Sequence, residues 1–421
     1  MTLDPATLPE RTDVAIVGGG MVGLSLALLL ARSCPELSVV VIEAHAFSLA
    51  GDLEQPSFDA RCTAVSESSR AVFEHIGVWA RLASLVAPIT TVHVSDRGKP
   101  GITRLEAAEQ GLEGLGFVVE NRVLGQVLMA AASDCPAIRI VAPLRVERLV
   151  PDAKGMVIES GDQRCLASLA VVAEGAGSTT LEQLGIHTRV TDYGQSALIA
   201  NIGLERPHAG VAYERFTDQG PLALLPLPDA GGEHRAALVW TLPPTQAQEL
   251  ASAPEEVFLA ALQERFGYRA GTFVRRGQCS TYPLRLSVAE EQVRRHLAVV
   301  GNAAHFLHPV AGQGFNLALR DVARLVEAVV AGWRRDLAPG DLAVLEDYLS
   351  GQEGDQWQTI LFSDSLPRTF ATGGALPALR SIGLITLDLV PALRTEFARF
   401  GAGLAVRAAR LPRFAGEGTL P

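Results

Sequence analysis

The chain has 421 residues, 48% apolar and 19% charged, where ordinary globular domains carry about 25% charge. So much apolar surface excludes intrinsic disorder, and at about 100–200 residues per domain the length suits roughly two to four domains or one large composite. The net charge of −10 comes without a basic stripe, which excludes a general nucleic-acid binder. The cysteines (Cys34, Cys62, Cys135, Cys165 and Cys279) are scattered and form no Cys-x-x-Cys. That pattern fits a reducing, cytoplasmic setting and argues against a disulfide framework or a cysteine metal site. The acidic start MTLDPATLPERTD has no basic region and is not expected to be a secretory signal.

In chain order, the first feature is the uncharged run Val14–Ala31. Its length would suit a membrane span, but three consecutive glycines, Gly18–Gly20, would weaken a helix there by roughly 1 kcal/mol each. Split at the glycines, it predicts a buried strand, Val14–Val17, and a leucine-rich helix, Met21–Arg32. The turn between them reads Gly18-Gly19-Gly20-Met21-Val22-Gly23, a G-x-G-x-x-G, and a second strand, Leu37–Ile42, ends at Glu43. Strand, turn, helix and acid together predict a dinucleotide site. Gly18 permits the tight turn, Gly20 admits a pyrophosphate to the helix N-terminus, Gly23 lets helix and strand pack closely, and Glu43 faces a ribose. FAD and NAD(P) are not separable at this motif.

The middle of the chain alternates like strands at Thr91–Ser95, Ala197–Ile202, Val211–Phe216 and Ala236–Trp240, with a helix at Glu255–Phe266. Phe216, Leu224, Leu225, Pro226 and Trp240 are the candidates for an apolar substrate wall. A late strand, His296–Val300, leads into a second glycine-bracketed corner with Gly312 and Gly314 around Gln313; Phe315 and Asn316 open a helix running to about Trp333. Such a corner offers backbone donors to another polar or anionic group. His305 and His308 in this loop have no third ligand at matching spacing, so no metal is expected. The tail from Leu337 is helix-rich, with breaks expected at Pro367, Pro377 and Pro391. Its apolar stripe, from Leu379 and Ile382 through Leu384, Leu387, Leu389, Leu393 and Phe397, is flanked by Arg380, Arg394 and Arg399. That stripe predicts a helix packed on the cofactor domain or an oligomer contact, in preference to a membrane surface.

The string from Gly301 through HPVAGQGFNLALRD resembles the late flavin motif of the class A FAD-dependent aromatic monooxygenases. These share the para-hydroxybenzoate hydroxylase fold, and the string is most similar to the ubiquinone-biosynthesis hydroxylases. Asn302 stands where the family usually carries Asp, and this Gly-Asn-Ala-Ala form resembles the branch acting on 2-polyprenyl-6-methoxyphenol. Glu174, in Ala173-Glu174-Gly175-Ala176-Gly177-Ser178, resembles the family's middle motif with Glu in place of Asp. The segment Asp59–Ser66 resembles the loop whose Arg, here Arg61, reaches the flavin phosphates. The segment Asn121–Leu128 resembles the helix that supplies Arg122 and Gln126 to FAD. Gly312, Gly314, Phe315 and Asn316 match positions that wrap the flavin ring.

The resemblance implies an α/β fold: a discontinuous Rossmann-like FAD-binding domain (12–85, 107–185 and 286–336), an inserted mixed-sheet substrate domain (86–106 and 186–285) and a helical C-terminal tail (337–421). It implies an FAD- and NAD(P)H-dependent monooxygenase, NADPH in preference to NADH. One atom of O2 would pass to the ring of a polyprenylated methoxyphenol in ubiquinone biosynthesis, and the protein's task would be to hold the ring and exclude water. No general base can be named from sequence; His305 is the candidate for a proton relay. The rivals are hydroxylation at another ring position, hydroxylation of a small aromatic acid clamped by Arg215 or Arg235, reduction of isoprenoid chains, and a non-catalytic flavoprotein within a multi-protein biosynthetic complex. Peripheral contact with the inner membrane through the tail is a further expectation.

Overall fold

The computed structural model describes residues 7–46, 61–309, 312–371, 376–405 and 407–411. Asp59, Ala60, Val310 and Ala311 fall outside these residues, as do the side chains of 366–382, among them Leu379, Arg380 and Ile382.

An eight-stranded sheet carries the first glycine corner. Its strand order is Val293–Arg294, Leu297–Val299, Gln163–Val172, Arg11–Val17, Val39–Ile42 and Ile138–Val141, with Gly155–Ser160 and Arg148–Asp152 added as a meander on Gln163–Val172. The central pairs are parallel: Val14–Val17 align with Val39–Ile42 on one side and with Leu169–Val172 on the other. A parallel pair needs a crossover, and the helix Met21–Ser33 supplies it. The glycines therefore end a strand and start a helix, so the run Val14–Ala31 is a β-turn-α unit. Among the described residues no helix is long and apolar enough to cross a membrane. Helices Met21–Ser33, Asn121–Ser133 and Gln313–Trp333 cover one face of this sheet around Ile16, Leu29, Val41, Leu128 and Val326, all buried.

A second sheet has nine strands in the order His305–Phe306, Ser280–Ala289, Thr188–Leu204, Glu233–Leu242, Gly220–Ala230, Val211–Thr217, Thr91–Asp96 and Ile102–Glu106, with Phe273–Arg276 beside Thr188–Leu204. It is mixed: Val211–Thr217 runs parallel to Thr91–Asp96 and antiparallel to Gly220–Ala230. One face packs under the helices Pro244–Ser252 and Glu255–Phe266, where Leu198, Leu222, Leu238 and Trp240 meet Phe258, Leu262 and Phe266. A short three-stranded sheet, Cys62–Ser66, Gly116–Glu120 and Ala87–Pro88, lies beside the two larger ones.

The tail differs from the sequence expectation in two ways. The helix Leu342–Ala371 runs through Pro367, and Leu376–Leu389 contains Pro377 near its start, where a missing N–H costs no helical bond. Leu376–Leu389 and Pro391–Gly401 pack on the edge of the nine-stranded sheet and the turn after it, and the end of the second helix also meets the cofactor domain, where Ser68 N–H donates to the Ala402 carbonyl at 3.2 Å and Gln313 Nε2 to the Gly401 carbonyl at 3.4 Å. Thr103 Oγ1 donates to the Leu384 carbonyl at 2.6 Å, and Arg394 pairs with Glu109 at 3.0 Å.

Candidate active site

The two glycine corners and the free face of the nine-stranded sheet line one continuous cavity of about 1130 Å³. Pockets for a single drug-sized ligand hold about 300–1,000 Å³, so this one has room for a dinucleotide and a second molecule.

At the first corner the helix Met21–Ser33 begins at Gly20 with no side-chain cap, and Gly18, Gly20, Met21 and Val22 line the cavity. Uncapped N–H groups and the helix dipole make a phosphate site. Gly18 has φ +111°, and a Cβ there would stand 2.6 Å from the Ala173 carbonyl oxygen. A Cβ on Gly23 would stand 2.0 Å from the Gly18 carbonyl oxygen, so Gly23 sets the close approach of helix to turn and does not itself line the cavity. Glu43 lines it too, and its carboxylate already accepts the Gly19 N–H at 2.7 Å and the His45 N–H at 2.8 Å. It braces the glycine turn as well as presenting an acid to the cavity.

At the second corner the helix Gln313–Trp333 starts at Gly312, again without a side-chain cap, and Asn302, Gly312, Gly314, Phe315 and Asn316 line the cavity. Asn316 is spoken for within the protein. Its Oδ1 accepts from Ser66 N–H and Ser69 Oγ, and its Nδ2 donates to the carbonyls of Ala64 and Gly312, all at 2.8 Å. It clasps the strand Cys62–Ser66 to the corner, leaving its backbone and shape to meet a ligand. Asn302 is exposed and lines the cavity.

Arg61 lines the cavity with its guanidinium 4.9 Å from the Tyr282 ring. Glu174 lines it as well, accepting from Ser178 Oγ at 2.6 Å. Arg122 and Gln126 do not: both are exposed, four residues apart on the outer face of their helix, and Arg122 turns to Glu120 at 3.6 Å. The residue of that helix that lines the cavity is Asn121, which accepts from Thr63 Oγ1 at 2.7 Å.

His305 is also misplaced by sequence reasoning. It is fully buried, hydrogen-bonded to Asp321, whose other oxygen accepts from Gln356 at 3.0 Å. It does not line the cavity. His308 does, and burial pushes its pKa down to about 4, so its imidazole is neutral near pH 7.

The sheet wall is built by alternation. From Val211–Thr217 come Ala212, Glu214 and Phe216; from Gly220–Ala230 come Pro221, Ala223 and Leu225; from Glu233–Leu242 come Ala237, Val239 and Thr241. Phe216 and Leu225 are thus wall residues. Trp240 and Leu224 point the other way into the helix-covered core, and Pro226 does not line the cavity either. Sequence reasoning passed over Glu214, although its neighbours two positions away, Ala212 and Phe216, mark it as a lone acid on an apolar stripe. Arg215 and Arg235 do not line the cavity: Arg215 reaches Ser95 Oγ at 3.3 Å and Arg235 pairs with Glu120 at 2.9 Å. The far wall is the tail, through Leu384, Leu387, Phe397 and Phe400.

Two uncapped helix starts on one cavity fit a flavin dinucleotide, and residues 11–338 match the family model for an FAD binding domain. Over 93% of this chain and 89% of its own length, a ubiquinone hydroxylase, UbiL, from Rhodospirillum rubrum is 38% identical. The chain belongs to the ubiquinone-hydroxylase family of FAD-dependent monooxygenases. A 3-demethoxyubiquinol 3-hydroxylase from Escherichia coli is 31% identical to this hydroxylase over 94% of the chain and 99% of its own length. Its fold is shared by the p-nitrophenol 4-monooxygenase PnpA of Pseudomonas putida DLL-E4, with TM-score 0.75 at 18% identity, covering 95% of this chain and all of that one. The hydroxylase is therefore an enzyme, and the non-catalytic reading falls away.

Proposed function

We propose that this hydroxylase oxidises 2-polyprenyl-6-methoxyphenol to the corresponding 1,4-benzoquinol in ubiquinone biosynthesis, with NAD(P)H as reductant and O2 as the source of the added oxygen. The sheet wall carries this reading. It is made of small and apolar residues, contains no cation and has one acid, so it suits a neutral, greasy phenol and repels an aromatic acid. The kinship with ubiquinone hydroxylases supports a quinone precursor as substrate. The small-acid rival would need Arg215 or Arg235 in the cavity, and neither lines it.

FAD, when bound, supplies the electron transfer and the oxygen activation. The protein's residues do the rest. The N–H groups at Gly20–Val22 and at Gly312–Phe315 would hold the phosphates and the flavin ring, with Asn316 fixing the second corner. Arg61 adds a cation at the strand Cys62–Ser66. Ala223, Ala237 and Val239 orient the substrate ring, and Leu384, Leu387 and Phe397 keep water out. Leu389 and Leu393, 73% and 50% exposed, continue those tail helices outward, which suits uptake of a prenylated substrate at a membrane surface.

The test is turnover of the holoenzyme with NADPH, oxygen-18 gas and a 2-methoxyphenol bearing a short prenyl tail at carbon 6. One labelled oxygen on the ring is expected, placed opposite the existing hydroxyl. Label at another ring carbon, or faster hydroxylation of benzoate-type acids, would contradict the assignment.

A further inference from the structure

Glu214 is the one charged side chain that the nine-stranded sheet presents to the cavity. It stands between Ala212 and Phe216 on its own strand, opposite Ala223 on one neighbouring strand and Val94 on the other, and all four line the same space. Among the described residues it has no hydrogen-bond or ion-pair partner. A carboxyl on such a wall costs stability unless something in the cavity satisfies it. The wall holds it there by the strand's alternation, with its open side toward the space where a substrate ring would lie.

We propose that Glu214 is the general base of the ring hydroxylation, accepting the phenolic proton of the substrate. This rests on the phenol-hydroxylase reading above. A phenol is a hydrogen-bond donor, and the carboxylate an acceptor without another donor. As one atom of O2 bonds to the ring carbon, the O–O bond breaks and the other atom leaves as water with the two electrons of NAD(P)H; electrons are drawn from the phenolic oxygen and its O–H becomes strongly acidic. The O–H bond breaks, its electron pair stays on the substrate as a developing ring carbonyl, and the proton forms a new O–H bond on Glu214. When the substituted carbon loses its hydrogen as a proton to solvent, the ring regains aromaticity. The carbonyl oxygen then takes the proton back, and Glu214 returns to carboxylate. No further oxidant or reductant enters this proton cycle.

Burial alone raises the pKa of Glu214 from 4.5 to about 7, which suits a base that must take and return a proton near neutrality. Among the described residues the other ionisable side chains around the cavity are Tyr213 and Tyr282 from the nine-stranded sheet and Glu43, His45, Arg61, Cys62, Arg145, Glu174 and His308 from elsewhere. None of them contributes to the shift at Glu214.

The experiment measures kcat/KM for hydroxylated product against pH, using holoenzyme, NADPH and the short-tailed 2-methoxyphenol. For the unaltered enzyme a rise with pH through about 7 is expected. In E214Q the rise should vanish and hydroxylation should fall about 100-fold or more, with flavin content equal to the unaltered enzyme's. E214D should restore the rising limb. A second readout is affinity, followed by perturbation of flavin absorbance. The unaltered enzyme should prefer the phenol to its methyl ether, by about tenfold more above pH 7 than below pH 5, while E214Q should show no pH dependence in that preference. Hydroxylation and pH limb both intact in E214Q would overturn the proposal while leaving the function standing. An unaltered enzyme that hydroxylates no phenol would overturn both.

Discussion

The two faces of the nine-stranded sheet are both mostly apolar and have opposite uses. The face under the helices carries Leu198, Leu222, Leu224, Leu238 and Trp240, large side chains that fill the space against Phe258 and Phe266; the Trp240 and Phe258 rings stand 6.3 Å apart, edge to face. The other face carries Ala197, Ala212, Ala223 and Ala237, which leave that space open for a ligand. Side-chain volume, more than polarity, separates a core from a binding wall here. The one charge on the open face, Glu214, has no counterpart among the buried side chains under the helices.

The largest effect should come from emptying the packed face. Trp240→Ala should cost about 3–5 kcal/mol, read by denaturant unfolding, while the folded fraction keeps its flavin and its substrate preference. Changed substrate preference would break the distinction between the faces. Filling the open face should do the reverse. Ala237→Phe should lower kcat/KM for the phenol about 100-fold and leave the Tm within a few degrees, because the new ring occupies ligand space. The corner clasp comes next: Asn316→Ala removes four hydrogen bonds and leaves buried groups unsatisfied. It should cost about 2–3 kcal/mol and weaken FAD retention, measured by flavin released on dilution.

The smallest effects are on pH dependence, and they belong to the cavity alone. Glu214 binds its proton more tightly folded than unfolded, so its contribution to stability is greatest below pH 4.5 and declines as pH rises toward about 7. E214Q should abolish that decline. His308 has the opposite sign: it resists protonation when folded, so stability declines as pH falls from 6.5 toward about 4, and H308Q should flatten that acid limb. Unfolding midpoints across pH 4–8 for both variants would check both slopes, and parallel curves for variant and parent would refute them.

Much of this was readable in the sequence where local geometry dictates residue type. The strand–glycine–helix corner at Val14–Ala31 is local, and the structure places Arg11–Val17 and Met21–Ser33 within a few residues of expectation. The helix Glu255–Phe266 agrees to the residue. What alternation does not reveal is which face of a strand a distant helix will cover, and so Trp240 was grouped with Phe216 although they point to opposite sides. Nearness in sequence to the second corner likewise said nothing of where the His305 ring turns. On the helix Asn121–Ser133 the inward positions are Asn121, Leu124, Gly125 and Leu128, which puts Arg122 and Gln126 outside. The tail's apolar stripe was visible, but its partner, the sheet edge at Thr103 and the cavity beyond it, is set by tertiary contact.

The central claim is that the glycine corners and the small-residue sheet wall enclose one space shared by flavin and phenol. The most direct test is the visible absorption of purified flavin-loaded protein, titrated with the short-tailed 2-methoxyphenol, in the unaltered chain and in Ala237→Phe. A saturable shift of the flavin bands that is lost in the variant, with flavin content unchanged, is the predicted result. Flavin bands that ignore the phenol in the unaltered chain, or a shift that survives filling of the wall, would contradict it.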